Sequence, residues 1–354
     1  MTHALQILAG PRALARIRDR GLRLDDVRMM VGASGGPKWL AIAGLDRVLF
    51  PRLAAVEREA RLHLLGSSIG SWRMACLAQA DPLAAVRRLE EAYVERQRYD
   101  NPDPDAAEVS RVARVMLDHV LGEDGIGEIL ANARMALHVV TVRCRGMSCS
   151  ENRLPLALSM AIAGFANAVS RKTLGWQFER VIFGNGSDSP FQALRDLPTR
   201  VLPLDADNLR AALLASGSIP LVLEGVEVPG APRGKYRDGG LTDYHFDIDF
   251  GMDDGIVLYP HFYDHLVPGW FDKALPWRRA RGRNLDNLVL LAPSQEFVTA
   301  LPGGRIPDRK DFYRYPEEER IRLWRAVIDA STRLGDEFEE LMASGNWLDR
   351  VAPL

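Results

Sequence analysis

Cysteine is scarce in this chain, long apolar runs are absent, and neither sign of charge prevails. Its 354 residues hold three cysteines, Cys76, Cys144 and Cys149. Their odd count and lack of a C-x-x-C pair give no metal-ligand pattern and fit a reduced, cytoplasmic setting. No run of about 18 apolar residues is available to span a bilayer, and Met1 to Gly10 lacks the basic start and long apolar core of a signal peptide. Any membrane contact is therefore expected to be peripheral. A formal net charge of -2 speaks against general nucleic-acid binding. There is no internal repeat and no low-complexity tract. What remains, 354 residues of which 47% are hydrophobic, is enough to bury a sizeable core.

Apolar periodicity supplies the architecture. Strand-like runs occur at Val27–Val31, Leu62–Leu65, Leu137–Arg143, Arg180–Phe183, Tyr236–Asp238, Ile256–Tyr259 and Asn287–Leu291. Between them, helical patterns fall at 39–50, 69–79, 82–98, 106–121, 154–170 and 206–215. This alternation predicts a three-layer α/β fold, a mainly parallel central sheet with helices on both faces. In such sheets the chemistry gathers at the carboxyl ends of strands. The loop Asp100–Asp105 begins a helix, and the helices around it are expected to form a cap inserted after the helix at 69–79.

Two glycine-rich turns follow strands directly. Gly66-Ser67-Ser68-Ile69-Gly70 lies between the run Leu62–Leu65 and a helical pattern, the strand, sharp turn, helix setting of a nucleophile elbow. Its glycines leave room for a strained backbone, so Ser68 can present its hydroxyl at a helix N-terminus. The same G-x-S-x-G pattern occurs in Gly32-Ala33-Ser34-Gly35-Gly36, which continues into Pro37-Lys38. That copy is richer in glycine and suits backbone N–H groups aimed at an anion better than a lone nucleophile. Asp238-Gly239-Gly240 taken alone reads as a tight turn.

Taken in order, the three motifs resemble the patatin-like phospholipases. Ser34-Gly35-Gly36-Pro37-Lys38 is similar to that family's oxyanion loop, Gly66–Gly70 to its nucleophile elbow, and Asp238-Gly239-Gly240 to its Asp-Gly-Gly/Ala motif. Leu214-Ala215-Ser216-Gly217-Ser218-Ile219-Pro220 resembles the small-residue helix end that the family places ahead of its aspartate. The resemblance spans about residues 25 to 245 and implies an acyl hydrolase domain at 1–250, with 251–354 as a C-terminal extension packed on the same domain. It implies a Ser-Asp dyad, with Ser68 as nucleophile and Asp238 as its base. The amides of Gly35 and Gly36 would be the oxyanion donors, since Pro37 has no N–H. Ser34 and Lys38 would support the loop and its potential.

The substrate so implied is a phospholipid or other acyl ester, and the chemistry requires neither cofactor nor metal. Transfer of the acyl group to an alcohol, or a silent lipid- or protein-binding role, are the alternatives. A Ser-His-Asp enzyme would use His245. Where the family has Lys/Arg-Gly and a second glycine, this chain has Lys38-Trp39 and Gly70-Ser71, whose bulk can narrow an acyl channel.

Beyond Leu241 the resemblance fades. His261 and His265 stand four apart beside Asp264, but aromatics and Pro260 suggest a strand-to-loop passage, so they read as structural or surface histidines rather than metal ligands. Val267–Arg283 sets Trp270 and Trp277 beside a cluster of arginines, a composition suited either to a lipid-water interface or to a solvated loop. Glu317–Ser344 has apolar residues at helical spacing and is expected to cover the core.

Overall fold

The computed structural model describes residues 3–186, 188–252 and 254–354; Met1 and Thr2, which open the N-terminal stretch considered above, lie outside it. The strands are β1 (Leu5–Ala9), β2 (Val27–Gly32), β3 (Leu62–Ser67), β4 (Met135–Cys144), β5 (Phe178–Gly184), β6 (Thr199–Pro203), β7 (Tyr236–Asp238), β8 (Ile256–Pro260), β9 (Leu288–Pro293) and β10 (Val351–Pro353). All belong to one sheet in the order β10-β1-β9-β8-β2-β3-β4-β5-β6, with β7 beside β4. β9 runs antiparallel to β1, and β5 and β7 run antiparallel to β4. The remaining ladders are parallel.

The α-helices are α1 (Pro11–Arg20), α2 (Ala43–Ala55), α3 (Ile69–Leu77), α4 (Pro82–Glu95), α5 (Ala106–Leu121), α6 (Gly125–Ala131), α7 (Arg153–Val169), α8 (Leu209–Gly217), α9 (Gln295–Ala300), α10 (Asp311–Arg314) and α11 (Glu317–Ser344). Alternate strand residues serve two cores. Leu62, Leu64, Leu137 and Val139 face the helices α2, α3, α4, α5 and α11. Leu65, Val140, Val257 and Tyr259 face the other way, against Phe191, Phe246 and Phe262 from loops, and α7 closes that second layer beyond Val142. Burial on both sides is why these strands read as nearly unbroken apolar runs. The architecture is α/β with a mainly parallel sheet between two covering layers.

Several boundaries differ from the sequence pattern. Residues 39–50 are not one α-helix: Gly36–Ile42 is a 3₁₀ segment opened by Pro37, and the α-helix starts at Ala43. Trp39, Leu40, Ala41 and Ile42 are all fully buried, so no polar face marks the change of pitch. Helices α4 and α5 do not stand apart as a cap; they pack on α2 and α3 as part of the main core. Residues 256–260 and 288–293 supply β8 and β9, which separate β2 from β1. The long helix at 317–344 does cover the core, through Trp324, Val327, Leu334 and Phe338.

α3, which follows the Ser68 turn, is tied to α2 by a fully buried ion pair. The Arg73 guanidinium donates through Nε and Nη2 to the two Asp46 carboxylate oxygens, each at 2.7 Å. Removing one partner strands a charge without water, so Asp46→Ala is expected to cost about 3–5 kcal/mol in chemical denaturation. The double variant Asp46→Ala with Arg73→Leu should recover most of that loss.

Candidate active site

Ser67 ends β3 opposite Val140, and Asp238 ends β7 opposite the next residue, Thr141. Because β5 occupies the other edge of β4 over this stretch, β3 and β7 share one edge and meet head-on by their carboxyl ends. The backbone reverses immediately at Ser68, whose φ of 56° and ψ of -132° lie outside the regions open to ordinary L-residues. Such a conformation costs on the order of 1–3 kcal/mol and persists only where its surroundings enforce it.

The enforcement is visible. The Ser68 amide donates to Ser216 Oγ at 2.9 Å, while that hydroxyl donates to the Val140 carbonyl at 2.7 Å, bridging the gap between the two strand ends. Ser71 Oγ donates to the Ser68 carbonyl at 2.7 Å. Gly70 allows the turn to touch the neighbouring loop, for a Cβ there would lie 2.0 Å from the Gly32 carbonyl oxygen.

Held this way, Ser68 Oγ donates to Asp238 Oδ2 at 2.7 Å. The other carboxylate oxygen accepts from the Gly240 amide at 2.7 Å, and the Asp238 amide donates to the Ser218 carbonyl at 3.0 Å. Both side chains are buried. Burial pushes the Asp238 carboxyl up to about 6, against the opposing pull of the Ser68 hydroxyl, the Gly240 amide and the nearby Arg309 and Lys273 charges. A carboxylate of that pKa is a competent base near neutral pH.

Ser34, Gly35, Gly36 and Lys38 line the same cavity of about 210 Å³ as Ser68 and Asp238. The two G-x-S-x-G copies are geometrically distinct. Ser34 Oγ donates to Ser67 Oγ at 2.9 Å and the Ser34 amide to the Tyr244 carbonyl at 2.9 Å, so among the described residues this serine has no carboxylate partner, and its N–H is already engaged. The Gly35 and Gly36 amides donate to none of the described residues, and Gly36 holds a φ of 56°. They are the free donors of the loop. Lys38 is held down by burial, only partly offset by Asp308.

His245 is placed elsewhere. It is fully buried, its Nδ1 accepts from the Val267 amide at 3.0 Å, and desolvation keeps its imidazole well below the usual range. It does not line the cavity. Trp39 likewise points away: it is fully buried in the core, edge-on to Tyr93 with ring centroids 5.9 Å apart. The 3₁₀ turn that carries it aims the indole inward, and it narrows nothing. His261 is buried with its Nδ1 on Tyr263 backbone, whereas His265 is exposed beside Asp264; both rings pack against Tyr263.

Of the remaining lining, Ile219, Pro220 and Gly240 lie in motifs already noted, and Trp270 and Lys273 in the tryptophan- and arginine-bearing segment, whose composition does not place it at the site. Tyr244, Trp270, Lys273, Asp308, Arg309 and Lys310 reach the cavity from after the aspartate motif, and nothing in the local pattern of Tyr244, Asp308, Arg309 and Lys310 announces it. Lys273 Nζ lies 3.7 Å from the centre of the Tyr244 ring. Desolvation within the cavity wall, with repulsion from Lys38 and Arg309, draws this ammonium down to about 7, while part of the residue remains open to solvent. No family model matches this chain, and no curated protein matches it significantly.

The Asp238 pKa sets a pH dependence with a definite sign. Its carboxylate can take the Ser68 proton only when ionised, so reactivity is present above the pKa and lost as pH falls through it. The rate at which a fluorophosphonate modifies Ser68 should rise through about pH 6 and level off above it, as measured by mass spectrometry of the labelled peptide.

Proposed function

We propose that the protein is a serine acyl hydrolase of patatin-like type, cleaving acyl esters through Ser68 and Asp238. The observation that carries this reading is the 2.7 Å hydrogen bond from the Ser68 hydroxyl to a buried, basic carboxylate at a strained strand-helix turn. A serine hydroxyl becomes a useful nucleophile only when a positioned base removes its proton.

In the proposed sequence, Ser68 Oγ bonds to the ester carbonyl carbon while its proton passes to Asp238 Oδ2. The carbonyl oxygen, now carrying the negative charge, meets the Gly35 and Gly36 amides. Collapse of this intermediate breaks the bond to the alcohol oxygen, which leaves with the proton held by Asp238. Water then attacks the acyl-Ser68 carbonyl, gives its proton to Asp238, and releases the carboxylic acid as that proton returns to Ser68. The Gly240 N–H fixes the carboxylate orientation throughout. No histidine relay is needed, because desolvation supplies the basicity that an imidazole would otherwise provide.

The mouth of the cavity favours a substrate with negative charge beside the ester. Lys38, Lys273, Arg309 and Lys310 line it, against the single additional carboxylate of Asp308. A phosphate or carboxylate there would meet charge-assisted donors. The cysteine pattern fits a cytoplasmic protein, and among the described residues no helix is long and apolar enough to cross a membrane.

Ser68→Ala and Asp238→Asn are each expected to lower p-nitrophenyl ester turnover by about three orders of magnitude, and the double variant to be little worse, because members of one catalytic unit fail together. Full additivity of the two losses would show that they do not act as a unit. Lys273→Gln should raise KM about tenfold for an ester bearing a carboxylate, the loss of one hydrogen bond to a charged group, while leaving that for an uncharged acetate ester nearly unchanged. Equal effects on both esters would remove Lys273 from anion recognition.

A further inference from the structure

Helix α7 has an apolar outer face. Its inner face is buried through Leu156, Met160 and Ala163, yet Leu154, Leu158, Ile162, Phe165 and Val169 point to solvent, with Leu154, Phe165 and Val169 exposed by 82%, 80% and 85%. At about 100° per residue these five positions fall within an arc of about 80°, one stripe running roughly 25 Å along the helix. No charged residue lies between Arg153 and Arg171. A surface helix ordinarily turns polar side chains outward, and a contiguous exposed patch of this kind marks an interaction site.

The surroundings identify the partner. Trp176, 72% exposed, follows the helix, and Trp277, 67% exposed, is brought to the same end by its neighbour Arg278, whose Nη2 donates to the Asn167 and Ala168 carbonyls at 3.0 and 3.3 Å. Residues 152–178 contain Arg153, Arg171 and Lys172 and no acid; residues 273–285 contain Lys273, Arg278, Arg279, Arg281 and Arg283 and no acid. An apolar stripe rimmed by tryptophans and mainly by cations, with the adjacent Glu151 already paired to Arg237, matches an anionic leaflet, which takes apolar side chains below its headgroups and bases among them. A second copy of the same face would set cation against cation.

We propose that the outer face of α7 docks on an anionic lipid bilayer. The docked helix leads directly to the cavity. Asn167 Nδ2 donates to Asp272 Oδ1 at 2.7 Å, and the Trp270–Ala274 turn that holds Asp272 places Trp270 and Lys273 in the cavity lining. A leaflet against α7 therefore lies beside the mouth. That the leaflet also supplies the ester rests on the hydrolase reading above; the docking does not.

The test is flotation with phosphatidylcholine vesicles, with and without phosphatidylglycerol. Wild type and Ser68→Ala are expected to float with the anionic vesicles, less so at high salt, and brominated lipid should quench tryptophan fluorescence. Leu158→Glu and Phe165→Glu should each reduce the bound fraction about tenfold or more, given the apolar area each would otherwise bury, while hydrolysing a soluble p-nitrophenyl ester as wild type does. Leu348→Glu, an exposed apolar site away from the stripe, should float normally. Circular dichroism melts identify any misfolded variant, and Phe165→Ser and Leu154→Ser provide a milder pair. Failure of wild type to float with anionic vesicles, or flotation indifferent to every stripe variant, overturns the proposal. So does a wild-type dimer in light scattering that Phe165→Glu converts to monomer, for then a second copy covers the face. Flotation of a protein that hydrolyses no ester leaves docking standing and removes the hydrolase reading.

Discussion

Two strand ends meeting on one edge of β4 constitute the constraint on which the site depends. β3 arrives parallel and stops at Val140, β7 arrives antiparallel and stops at Thr141, and the ladder register alone brings the residue after one within reach of the last residue of the other. A shift of either strand by one residue would move its side chains to the opposite face of the sheet and break the 2.7 Å contact between Ser68 and Asp238. Serine hydroxyls reinforce the junction, that of Ser216 spanning from the Ser68 amide to the Val140 carbonyl and that of Ser71 bracing the turn from behind.

The loop leaving Asp238 is anchored with comparable firmness. Arg180, fully buried on β5, donates to both carboxylate oxygens of Asp243 at 2.7 and 2.8 Å and to both of Asp196 at 2.7 and 2.8 Å. Asp243 in turn accepts from Thr242 Oγ1 at 2.8 Å. The guanidinium fork is rigid and stays charged, so the Asp-Gly-Gly turn sits on an ionic foundation a few residues downstream. The geometry of the Ser68–Asp238 pair comes from fixed neighbours, which is what allows a strained Ser68 backbone to be retained.

The sheet and the dyad were legible for a local reason. Six strands, β2, β3, β4, β5, β8 and β9, are apolar runs buried on two faces, and Ser68 and Asp238 sit in turns whose glycines are required by close backbone contacts. β6 and β10 were not legible, being half-exposed or only three residues long at the sheet edges, and β1 is a five-residue strand. Direction within a turn was also hidden: the sequence placed Trp39 beside the site, and the 3₁₀ pitch sends it into the core. Lys273, Arg309 and Lys310 reach the cavity only because distant segments are folded onto it, and no periodicity encodes that.

The placement of β8 and β9 bears on how the protein can be made and divided. β2, which carries the glycine loop, is flanked on one side by β3 and on the other by β8, and β1 needs both β9 and β10. A growing chain that has emitted Ser68 and Asp238 still presents β2 with a bare edge, the kind of surface that recruits strands from other molecules. Every motif of the dyad is then present, but the sheet that aligns them is not closed. Nor can the first 250 residues be lifted out as a minimal module, since their sheet would lack its middle. Modularity in this protein ends at the whole chain: the segment without recognisable motifs is what makes the segment with them a folded unit.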